Sequence, residues 1–134
     1  MTTREPGARL VFTNGFEVSP FAAATPYFMR IAPRRCTAAL ADATGEERAS
    51  FGSALVAAAR ALRGALGGVG FNAYLHDEPF SAQRAGLPFH WHADVFPRLG
   101  DRAGFEWGSG ISLNVVDPDA AAESLRAGLG GQRP

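Results

Sequence analysis

Apolar and polar residues alternate along the first third of the chain, apolar residues recur every three to four positions through the middle, and alternation returns after Gly70. Alternation puts one side of a β-strand in a core, whereas the longer period marks one stripe of an α-helix. "ARLVFTNGFEVSPF" holds two short apolar runs around Asn14-Gly15, a dipeptide that tolerates positive φ at both positions. Strands at Arg9–Thr13 and Phe16–Ser19 are therefore expected to form a tight hairpin. A third strand is expected over Tyr27–Ala32, bounded by Pro26 and Pro33. From Gly45 to Leu66, Phe51, Leu55, Ala58, Leu62 and Leu66 follow helical spacing, Thr44 and Glu47 have the pattern of a capping box, and Gly67-Gly68 ends the run. Such a stripe needs a surface to cover, and a sheet face is the natural one.

Beyond the helix, "GFNAYLHDEPF" reads as a strand ending at His76 and "SAQRAGLP" as a polar loop. "FHWHADVFPRL", Phe89 to Leu99, reads as the longest strand. A further strand is expected in "GSGISLNVV", where Ile111, Leu113 and Val115 alternate with Ser112 and Asn114. Asp117 as N-cap and Pro118 at the first helical position then open a short C-terminal helix, and residues 128–134 are expected to fray. The order of elements implies an α+β fold: an antiparallel sheet of five or six strands, one long helix packed on one face, and the short C-terminal helix.

Composition narrows the function classes. At 134 residues the chain is expected to be a single domain, residues 1–134, with no internal repeat. Its 13 basic and 13 acidic residues cancel, which leaves no strong field for nucleic acid or an anionic membrane. No apolar run approaches the roughly 20 residues of a membrane span, and no apolar signal segment opens the chain, so a cytoplasmic protein is expected. The one cysteine, Cys36, cannot form an internal disulfide and reads as a small buried hydrophobe.

The candidate chemistry lies on the Phe89–Leu99 strand. Phe89, Trp91, Ala93 and Val95 share one face, while His90, His92, Asp94 and Phe96 share the other. The apolar face is expected under the long helix, leaving two imidazoles and a carboxylate on the open side. All three histidines of the chain fall between His76 and His92, a clustering that favours a site over a merely polar outer face. Two chemistries suit the row. A neutral imidazole can attack the α-phosphorus of a nucleoside diphosphate derivative and carry the nucleotide as a phosphoramidate. Alternatively, His76, His92 and Asp94 can bind a metal, with His90 a possible further ligand, and mixed nitrogen and oxygen donors suit zinc or iron. Arg98 has a fork that fits phosphate or a carboxylate such as Asp101 or Glu106. Trp91 and Trp107 read as packing residues, and Arg34 and Arg35 as a solvated pair.

"HWHADVFPR" resembles the histidine triad signature, with Asp94 in place of its third histidine. More specifically, "PFAAATPYFMRIAPRR", "NAYLHDEPF", "FHWHADVFPRL" and "AGFEWGSGISLN" resemble the C-terminal domain of bacterial galactose-1-phosphate uridylyltransferases, over about Leu10 to Arg126. The resemblance implies a HIT-like fold and uridylyl exchange between a UDP-hexose and a hexose 1-phosphate. It implies His76, His92 and Asp94 as ligands of a structural zinc or iron, Glu106 as a contact to the hexose, and Asn72 as a polar contact to nucleotide phosphate. It also implies a homodimer or pairing with an N-terminal-half domain, since the family's nucleophile lies there in a His-Pro-His sequence that this chain lacks. In one-domain histidine triad proteins, by contrast, the position of His92 is the nucleophile. Asp94 favours the metal role, because a carboxylate ligates but does not donate as a third histidine would.

Overall fold

The computed structural model describes residues 16–17, 23–79, 89–100 and 103–130. These form β1 (Phe16–Glu17), β2 (Met29–Pro33), α1 (Gly45–Leu66), β3 (Phe71–His76), β4 (His92–Pro97), α2 (Gly104–Ser109) and α3 (Pro118–Gly130). The four strands make one antiparallel sheet in the order β1-β2-β4-β3, so β4 lies inside it and β3 is an edge strand among the described residues. This is an α+β fold with helices packed against a small antiparallel sheet.

Among the described residues four strands are present, against the five or six expected over the whole chain. The Arg9–Thr13 strand and its Asn14-Gly15 turn lie outside the described residues. β2 starts at Met29 rather than Tyr27, because Tyr27 takes the left-handed conformation, φ 56°, which no extended strand contains. β4 starts at His92 rather than Phe89: the backbone N–H of Trp91 leaves the ladder and donates to the Thr37 carbonyl at 3.1 Å, while its indole donates to Thr37 Oγ1 at 3.0 Å. The run from Ile111 to Val115 is not a strand. Asn114 ties the run down instead, its Nδ2 donating to the distant Ala23 carbonyl and its Oδ1 accepting from the nearby Val116 N–H, and Ile111, Leu113 and Val115 stay exposed. Alternation alone makes no strand, and among the described residues no segment pairs with this run.

α1 follows its expected bounds because both ends are capped. Thr44 Oγ1 accepts from the Glu47 N–H and the Glu47 carboxylate accepts from the Thr44 N–H, completing the capping box. Arg35 grips the same carboxylate at 2.8 and 2.7 Å, so this solvated side chain is also an ion-pair partner. At the start of α3, Asp117 Oδ1 accepts from the N–H groups of Asp119 and Ala120. Cys36 is exposed, not buried, because it lies in the turn that follows β2.

The core forms between one sheet face and α1, where Met29, Ile31, Trp91, Ala93 and Val95 meet Ala54, Ala58, Ala61 and Leu62, and Phe51 stands edge-on to Trp91 at 5.1 Å. α3 packs on α1 and buries Ala122, Leu125 and Gly128. The two helices touch backbone to backbone: a Cβ at Gly128 would lie 2.6 Å from the Ala61 carbonyl oxygen and 2.8 Å from the Ala65 nitrogen. No described helix is long and apolar enough to cross a membrane.

Gly128→Ala should cost about 1–3 kcal/mol in urea unfolding despite alanine's better helix propensity, since the added methyl meets backbone that cannot swing aside. The Arg35 pair and the Thr44 N–H hold the Glu47 carboxyl down at about 2, from an ordinary 4.5. The stability they lend is complete above pH 4.5 and is lost as the pH falls toward 2. The unfolding midpoints of the native chain and Glu47→Gln should therefore converge across that interval.

Candidate functional site

The antiparallel register decides what shares the face opposite the helices. Arg30 of β2 and Tyr74 of β3 flank Asp94 of β4, His76 lies opposite His92, and Asn72 lies opposite Phe96. Directly paired residues point to the same side, so these side chains form one surface. At its centre the Asp94 carboxylate, its side chain only 9% exposed, accepts from Arg30 Nε at 2.8 Å and Nη2 at 3.0 Å. His76 Nε2 lies 3.1 Å from Asp94 Oδ2. The cations stand at the rim, with the Arg30 and His76 side chains 47% and 45% exposed. The hydrogen bonds that Arg30 donates to Asp94 push the guanidinium further above its ordinary range.

The rings of His76 and His92 stack at 4.6 Å, and His92 Nδ1 is 2.9 Å from the His90 carbonyl oxygen. A carbonyl only accepts, so Nδ1 carries the proton and Nε2 keeps its lone pair for a metal or an electrophile. One donor atom each from His76, His92 and Asp94 lies within 4.8 Å of the others, and this cluster can coordinate a metal ion. Tetrahedral zinc with ligand bonds of about 2 Å sets donors a little over 3 Å apart, so the three fit after a small closure. Both oxygens of the carboxylate, however, are already engaged by Arg30.

Aromatic rings continue the face. Phe96 lies 6.2 Å from Phe28 and 5.4 Å from Tyr74, and the Arg30 guanidinium stands 5.9 Å over Phe28. Beyond Phe96, a cleft of about 550 Å³ is lined by Thr25, Asn72, Phe96, Arg98 and their neighbours. The Arg98 guanidinium lies against Gly70, where a Cβ would come within 2.9 Å of Nη2, and Thr25 Oγ1 is buried there without a hydrogen-bond partner among the described residues.

The expected site residues thus separate into groups. His76, His92 and Asp94 come together, and Asn72 and Arg98 come together at the cleft. His90 does not join the open row: it precedes the ladder, and its Nε2 is buried without a partner among the described residues. Glu106 joins neither group; on α2 it accepts from the Ala103 N–H at 2.8 Å. Trp91 is fully buried, while Trp107 is 74% exposed and therefore not a core residue. Arg30 is the residue that sequence reasoning missed. Its signal was a lone cation inside the apolar run "FMRIAP", which becomes meaningful once β2 is paired with β4.

No protein-family model matches the chain. ADP-glucose phosphorylase of Arabidopsis thaliana is 27% identical over 110 residues, 81% of this chain and 31% of that protein. The structure of an ADP-glucose phosphorylase from Arabidopsis thaliana with bound ADP-glucose superposes with a TM-score of 0.79 at 26% identity, over 90% of this chain and 40% of that one. A uridylyltransferase structure superposes with a TM-score of 0.80 at 27% identity, over 94% of this chain and 42% of that one. The chain is homologous to uridylyltransferase-like proteins. It spans less than half the length of these relatives. A zinc-bound histidine triad family protein from Mycobacterium smegmatis shares the fold, with a TM-score of 0.64 at 24% identity, over 93% of this chain and 85% of that protein.

Asp94→Asn should cost about 1–3 kcal/mol in urea unfolding, because it weakens a buried junction between β2, β3 and β4 and leaves donors short of an acceptor.

Proposed function

We infer that the chain is a HIT-like nucleotidyltransferase domain of the kind found in the C-terminal half of hexose-1-phosphate uridylyltransferases. It contributes to uridylyl exchange between a UDP-hexose and a hexose 1-phosphate. The observation that carries this inference is the convergence of His76, His92 and Asp94 on one sheet face, in a chain homologous to uridylyltransferase-like proteins. In that exchange a nucleophile forms a bond to the α-phosphorus of the UDP-hexose, and the hexose 1-phosphate leaves with the electron pair. The incoming hexose 1-phosphate then attacks the same phosphorus, and the nucleophile departs. This chain is assigned a supporting role: Asn72 and Arg98 as polar contacts to phosphate from the cleft, Glu106 as a contact to the sugar, and His76, His92 and Asp94 as a ligand set for zinc or iron. A bound ion would join β3 to β4 through charge rather than take part in the exchange.

Asn72 and Arg98 are the first residues to test as phosphate contacts, because they line one cleft beside the aromatic ring of Phe96. The partner is a second copy or an N-terminal-half domain. Support for a partner comes from β3, where Phe71, Tyr74 and Leu75 are 45%, 55% and 47% exposed on an edge strand.

One observation favours a second assignment. The His90 carbonyl leaves the His92 Nε2 lone pair free, and the match to a histidine triad protein covers 85% of that smaller chain. On this alternative the chain acts alone as a nucleotide hydrolase or transferase with His92 as nucleophile, aided by His90, or serves as a non-catalytic nucleotide-binding subunit.

Incubation of the chain with UDP-glucose or ADP-glucose, followed by intact-mass measurement, separates the two. The supporting role predicts nucleotide-sugar binding that Arg98→Ala weakens, and no covalent adduct. An acid-labile nucleotidyl adduct that His92→Asn abolishes would sink that role in favour of the stand-alone enzyme.

A further inference from the structure

Within the potential ligand set, Asp94 already has partners of its own. An ionised carboxylate has about four in-plane acceptor directions, two on each oxygen. Arg30 Nε uses one on Oδ1, Arg30 Nη2 uses one on Oδ2, and His76 Nε2 takes another on Oδ2 at 3.1 Å. The oxygen that faces His76 is therefore saturated. One direction on Oδ1 stays open and the His76 direction on Oδ2 is released when that imidazole ligates, so a dication shared by His76, His92 and Asp94 can reach the carboxylate, but only beside a guanidinium whose charge repels it. Arg30 also does mechanically what an ion would do. From β2 it reaches Asp94 on β4, and Asp94 reaches His76 on β3, so three adjacent strands are tied through one carboxylate. The burial pattern matches this: the carboxylate is inside, and the groups that hold it sit at the rim.

We propose that Arg30 stands in for the metal, acting as a built-in cation that satisfies Asp94 and weakens the affinity of the His76, His92 and Asp94 cluster for divalent ions. A metal enters against the charge of the guanidinium and shares the carboxylate with it. This concerns the cluster itself and holds whichever nucleotide the face accepts. The opposite role is also physically available, and it has the opposite sign. An arginine that hydrogen-bonds to a ligating carboxylate from outside orients it and strengthens the site.

Zinc titration of the full chain, with cobalt(II) absorption as a second probe of coordination, distinguishes the two roles. The native chain is compared with Arg30→Leu and with Arg30→Gln, which removes the charge but keeps a hydrogen-bond donor near Asp94 and so protects the fold. Circular dichroism establishes that each variant is folded. We expect both variants to bind zinc more tightly than the native chain, by at least about tenfold, the scale on which outer partners tune metal sites. Cobalt spectra should lose intensity in His76→Ala made on the Arg30→Gln background. Equal or weaker zinc binding in Arg30→Gln overturns the proposal and makes Arg30 a support for a ligating Asp94. Absence of zinc binding in all three proteins also overturns it, since removing the guanidinium should then have exposed a site.

Discussion

A carboxylate removed from water must find partners inside the protein, and that requirement organises the open half of this structure. Asp94 lies on β4, between β2 and β3, and its carboxylate is engaged from both sides, by Arg30 and by His76. Ion pairs at a surface contribute little, but a buried carboxylate held by a bidentate guanidinium is a different case. Removing the guanidinium leaves a buried carboxylate charge that its apolar neighbours cannot stabilise. The register of three strands and the placement of the histidines thus depend on one side chain. Slipping β2 by a single residue would turn Arg30 toward the helices and Met29 or Ile31 toward the open face.

Much of this was legible in the residues before the fold was known. The helix from Gly45 to Leu66 carries its own start and stop signals, and local signals of that kind do not depend on distant parts of the chain. The sorting of Trp91, Ala93 and Val95 from His92, Asp94 and Phe96 followed from alternation alone. Failures occurred where a partner decides the outcome. The Ile111 to Val115 run alternates as well as any strand here, yet pairing is a property of two segments. Tyr27 carries no mark of the left-handed backbone it adopts. Arg30 could not be linked to Asp94 across 63 intervening residues without the register between β2 and β4.

The open face combines two different surfaces. At one end the stacked imidazoles of His76 and His92 stand beside Asp94; at the other, Phe28, Phe96 and Tyr74 lead to the cleft with Asn72 and Arg98. Charge is concentrated at the first end and flat apolar rings at the second. A strand advances about 3.3 Å per residue, so the four steps from His92 to Phe96 separate the ends by roughly 13 Å. Any single ligand touching both must be extended, with its polar and planar parts well apart.

The helix side obeys a stricter rule. At Gly64 and Gly128 no side chain separates α1 from α3, so the thickness of that layer is set by the radii of backbone atoms. Nothing there can be repacked by choosing a different rotamer. The two layers consequently differ in how much sequence change they can absorb: the helices act as a fixed gauge, and variation in this protein has room to accumulate on the open sheet face.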